Sequence, residues 1–82
     1  MKGIFRLLDV ITLLEDLPES NLQKGQVGTI VEILAKGQAF EVEFSDQQGR
    51  TFASLGLRPE QMLLLHFEPV KPNQELDRVL AD

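Results

Sequence analysis

The chain has 82 residues, 43% of them apolar, a formal charge of −5 and no cysteine. That length allows one domain with a small core, and the lack of thiols excludes disulfides, thiol catalysis and cysteine-ligated zinc. Eight Lys and Arg spread over an acidic chain disfavour a nucleic-acid partner, because phosphate contacts need clustered cations.

The first nine residues are too short and too interrupted by charge for a signal peptide, and no apolar run nears the roughly 20 residues of a membrane span. The expectation is a cytoplasmic protein with no membrane partner. Residues 8–14 hold Val10, Ile11, Thr12, Leu13 and Leu14 in succession, which predicts a strand, buried on both faces or opening a closed sheet. A helix over residues 7–17 competes, since Leu7, Ile11 and Leu14 share a helical side. The β-branched run opposes it and Pro18 limits its length.

Residues 17–25 read as a long loop, in which Pro18 fixes its own φ and Ser20, Asn21 and Gly25 favour turns. Gly25 completes the turn with positive φ, and Gly28 marks a bulge or a close crossing inside the next strand. There Val27, Thr29, Val31 and Ile33 alternate with Gly28, Ile30 and Glu32. Residues 34–39 make a hairpin turn around Gly37. The following strand has the clearest period in the chain: Phe40, Val42 and Phe44 face the core, Glu41 and Glu43 face water.

A polar turn over residues 45–50 leads into a short strand over residues 51–55 that Gly56 stops. Pro59 and Glu60 suit the start of a helical turn within residues 57–62, too short to be more than 3₁₀. Residues 63–68 read as the closing strand, ended by Pro69. In the tail Leu76, Val79 and Leu80 share a helical stripe that Asn73 can cap, too short for a stable helix on its own.

Five short strands, one long loop, two hairpin turns and one helical turn predict an all-β fold. It is a small, bent, SH3-like five-stranded antiparallel barrel over residues 1–70, with a short helical or frayed C-terminal tail over residues 71–82. The run Lys24-Gly25-Gln26-Val27-Gly28-Thr29-Ile30-Val31-Glu32 is followed by Ala39-Phe40-Glu41-Val42-Glu43-Phe44, Asp46 and Gly49-Arg50. Before it stand Asp9-Val10 and Leu14-Glu15-Asp16-Leu17-Pro18-Glu19. Together these resemble a family of short bacterial proteins of unknown function, frequent in cyanobacteria. The likeness covers residues 8–70 and implies a fold without an activity. More weakly, residues 25–33 are similar to the KOW element of ribosomal and transcription-elongation proteins and to SH3-like subunits of photosystem I and ferredoxin-thioredoxin reductase. KOW elements that bind RNA bring basic residues, whereas here Lys24 and Lys36 are opposed by Glu15, Asp16, Glu19 and Glu32.

No residue set reads as a catalytic, cofactor or metal constellation. His66 is the single histidine; between Leu65 and Phe67 in the expected last strand it reads as an edge or core residue rather than a base. Ser20, Ser45 and Ser54 have no base placed beside them by sequence. Gly25-x-x-Gly28 lacks the Lys and Ser/Thr of a phosphate loop and precedes a strand instead of a helix. Glu15, Asp16 and Glu19 lack the spacing of a calcium loop.

The expectation is therefore a non-enzymatic module, without cofactor or metal, that binds another protein. Its partner surface joins Glu15, Asp16 and Glu19 of the acidic loop to Met62, Leu64, His66, Leu76 and Leu80, because the last strand is apolar on both faces. A homodimer, or cover by Ile4, Phe5 and the tail, would bury that surface. Three alternative roles stand beside this one: an acidic antitoxin or immunity protein occluding a toxin or nuclease, an accessory subunit of an enzyme assembly, and a KOW-like nucleic-acid-associated protein.

Overall fold

Alternation in residues 40–44 sets the centre of the structure, since Phe40, Val42 and Phe44 are all buried. A computed structural model describes residues 4–66 of the chain. Five strands run in order: β1 (Val10–Leu13), β2 (Val27–Leu34), β3 (Ala39–Ser45), β4 (Thr51–Leu57) and β5 (Met62–Leu64). They form one sheet in the order β4-β3-β2-β1-β5, with every pairing antiparallel. The fold is all-β with five antiparallel strands, as the sequence predicts. Among the described residues the sheet does not close by strand pairing, so β4 and β5 are its edges.

Leu57 on one edge and Met62 on the other nonetheless belong to a single core with Ile11, Leu13, Leu22, Ile30, Phe40, Val42 and Phe44. A flat sheet would hold its two edges far apart, so the sheet must curl to bring them to one core. The 3₁₀ turn Pro59–Gln61 joins these edges. Complete burial of a side chain such as Phe40 or Phe44 is worth about 1.5–3 kcal/mol. Phe5 packs against the cluster from the amino-terminal segment, its ring 5.6 Å from that of Phe40 and tilted by 59°.

β1 is a strand, not the competing helix, and it buries one face: Ile11 and Leu13 are inside while Val10 and Thr12 are half-buried. In β2, Gly28 and Ile30 face the core and Val27 faces out. A register shift between Ile30 and Glu32 then sets Glu32 opposite Glu41 and Ile33 opposite Phe40. The simple alternation expected through Ile33 breaks there, because one extra residue in a bulge moves the following side chains to the other face. Gly28 lets the side chains of β3 occupy the space that a Cβ would need. A Cβ there would lie 2.6 Å from Val42 Cγ1, 2.8 Å from Phe44 Cε2 and 3.0 Å from the Glu43 carbonyl oxygen.

Two expected boundaries shift. Gly56 does not stop β4; it pairs with Glu41, and the strand continues to Leu57, which is buried. β5 ends at Leu64, so His66 lies beyond it and is exposed. The long loop contains a 3₁₀ turn, Pro18–Ser20, and a core residue, Leu22, that its polar neighbours conceal from any periodic reading. The 45–50 turn is fixed by Asp46, whose Oδ1 accepts the amide N–H of Gln48 and of Arg50, each at 2.9 Å. The Arg50 amide, then that of Gln48 and the Arg50 side chain, hold the Asp46 carboxyl below the ordinary aspartate range. Among the described residues no helix is long and apolar enough to cross a membrane.

Candidate functional site

The acidic loop between β1 and β2 is braced at both ends. Gly25, at φ 94°, turns the chain so that its N–H donates to the Leu13 carbonyl at 2.8 Å, and Leu13 N–H donates to the Gln26 carbonyl at 3.0 Å. Asp16 Oδ1 accepts the Lys24 N–H at 2.8 Å across the mouth of the loop. Inside it, Leu17 and Leu22 form an isolated antiparallel bridge, with Asn21 in the left-handed conformation that the tight reversal needs. Leu22 is 2% exposed, so the loop is pinned to the core by an apolar side chain as well as by hydrogen bonds.

Gln61 ties this loop to the turn before β5. Its side-chain oxygen accepts the Arg58 N–H at 2.8 Å, its Nε2 donates to Glu15 Oε2 at 2.9 Å, and its carbonyl accepts the Leu14 N–H at 3.0 Å. Beside it, Arg58 Nε donates to Glu60 Oε2 at 2.8 Å. That side-chain bond is the main reason the Glu60 carboxyl sits below its ordinary value. Between the loop and β4 lies a groove of about 320 Å³, lined by residues 17–20, Leu55, Gly56, Leu57 and Gln61. Its lining includes a single charged side chain, Glu19.

Glu15, Asp16 and Glu19 thus lie on one exposed, ordered loop, though Asp16 and Glu15 also hold it in place. The expected apolar half is arranged differently. Met62 is 4% exposed and belongs to the core, because it pairs with the inward-facing Leu13. Leu64 pairs with Ile11 and packs against the same cluster. The outward residue of β5 is Leu63, 51% exposed, opposite Thr12, which in turn lies opposite the exposed Val27. His66 lines a separate shallow groove with Ile4, Arg6, Asp9, Leu64 and Leu65. Leu76 and Leu80 lie outside the described residues. Sequence reading named the inner face of β5 because a run of leucines carries no phase; pairing with Ile11 and Leu13 supplies it.

The family model described as a domain of unknown function (DUF4926) matches residues 7–64. The chain belongs to that family. The matched region takes in all five strands, the acidic loop and Gln61, and ends with β5. No curated protein and no solved structure matches the chain. Family membership therefore joins the sheet and the groove in one unit and leaves their chemistry to be argued from the residues.

Proposed function

We propose that this member of the family is a non-enzymatic module that binds another protein through the acidic loop. The observation that carries the reading is the bracing of that loop. A bridge, a buried leucine and the Asp16 and Gln61 contacts hold exposed carboxylates on an ordered backbone. A surface ordered before binding loses little conformational entropy when a partner arrives, and its charge steers a partner of opposite sign. The partner surface is accordingly basic, and Leu63 with Val27, not Met62, supplies exposed apolar area on the outer face of the sheet.

Affinity capture from native cells tests this. The wild-type chain retains one or a few proteins in a salt-sensitive manner, and the double variant Glu15→Gln, Glu19→Gln loses them. An unchanged set of captured proteins with that variant would overturn the reading. Homodimerisation is a separate outcome, read as twice the 9.2 kDa mass by light scattering.

A further inference from the structure

The groove beside the acidic loop borders three consecutive residues of β4: Leu55, Gly56 and Leu57. Neighbouring strand residues point to opposite faces, so a groove that meets all three runs along the edge of the strand and not across one face. Among the described residues β4 pairs only with β3, which leaves its other edge unpaired. The groove is therefore the opening between that free edge and the 3₁₀ turn Pro18–Ser20.

Edge strands expose unpaired N–H and C=O groups, and proteins commonly blunt them with charge, proline, a bulge or short length. β5, the other edge, has three residues. β4 has seven, Thr-Phe-Ala-Ser-Leu-Gly-Leu, with no charge and no proline, and its register irregularity lies at the opposite end, near Ser45. The half of β4 that meets the groove is thus a regular, uncharged edge. The facing wall carries Glu19 and is braced through Gln61 by Glu15.

We infer that this opening accepts an extended, lysine- or arginine-bearing segment of another protein, which adds to β4 as a sixth strand. The inference rests on the protein-binding reading above and names the partner's chemistry. Main-chain hydrogen bonds to β4 supply the attachment, and the carboxylates select a basic segment over an acidic one. Leu55 to Leu57 span about 7 Å, two strand steps, so few main-chain bonds form within the groove and the isolated segment binds weakly.

Nuclear magnetic resonance on the full 15N-labelled chain tests this with synthetic probes. An eight-residue peptide alternating lysine and valine shifts the amide signals of residues 17–20 and 53–57, while its glutamate–valine counterpart does not. Two further lysine–valine peptides are N-methylated on one or the other alternate set of backbone amides. A peptide that adds as a strand is silenced by one of these sets and not by the other; equal binding by both overturns the inference, leaving simple charge attraction. Absence of any shift in residues 53–57 at millimolar peptide also overturns it. So do concentration-dependent shifts of β4 in the unmixed chain together with a doubled mass, which would make a second copy the occupant. If partner capture depends on Glu15 and Glu19 while the peptides leave β4 untouched, the broader reading stands and the strand addition fails.

Discussion

Two glycines interrupt strands that flank β3, and they have opposite meanings. Gly28 in β2 sits opposite Phe44, with Val42 and the Phe44 ring occupying the space where a Cβ would project. Gly56 in β4 sits opposite Glu41, and a Cβ there would meet only Leu34 Cδ1, at an ordinary 3.8 Å. Neither has the positive φ that would require glycine. The first is demanded by packing; the second is merely accommodated. A glycine within a strand pattern therefore shows where side chains are missing but not whether anything has filled the space.

The sharpest way to break this contrast is at Gly28. Gly28→Ala forces Val42, Phe44 or the β3 backbone to move, and overpacking of this kind costs about 1–3 kcal/mol. Denaturant melts should show a lowered midpoint, and Phe44→Leu in the same chain should recover part of the loss, since neighbouring substitutions couple. An unaffected midpoint would mean that the sheet opens at no cost. Gly56→Ala is expected to do the reverse, raising stability by about 0.5–1 kcal/mol, because a strand glycine carries an entropic cost that alanine avoids. A loss there would break the contrast, showing that Gly56 is as constrained as Gly28.

The smallest effect is outside both sites, at the turn leading into β4. Asp46 has a lowered carboxyl pKa in the folded chain, so its contribution is present above the ordinary aspartate range and is lost as pH falls through that range and below it. Amide shifts of Gln48 and Arg50 should follow this acid-side titration while those of Gly28 and Gly56 do not. Asp46→Asn should abolish the titration. Since Asp46 is at the surface, the change should be local.

Much of the sheet was legible because its signals are short-range. Phe40, Val42 and Phe44 alternate with glutamates, and Gly25 turns the chain before a β-branched run, as the folded chain confirms. The ends of strands were less legible. Gly56 reads as a stop because its propensity is poor, yet pairing with Glu41 carries β4 past it. Leu22 stands alone among polar residues and has no period to reveal that it is buried. The candidate site divides in the same way: the carboxylates of the loop are visible in sequence, but Met62 turns inward and Leu63 outward only once Leu13 and Thr12 fix the phase of β5. The groove along β4 needed the strand order, which local composition does not encode.

The pairing of Ile11 with Leu64 joins opposite ends of the matched domain, whereas β2, β3 and β4 are linked by short turns. Searching for a contact so distant in sequence costs more loop entropy than closing either hairpin. The expected order of assembly is that the β2-β3-β4 meander forms early and docking of β5 on β1 comes last. Weakening the meander should slow folding, while Leu64→Ala should chiefly hasten unfolding, a division that folding and unfolding rates measured against denaturant will show. On that expectation the edge opposite β4 is the last piece of the sheet to arrive and the first to leave.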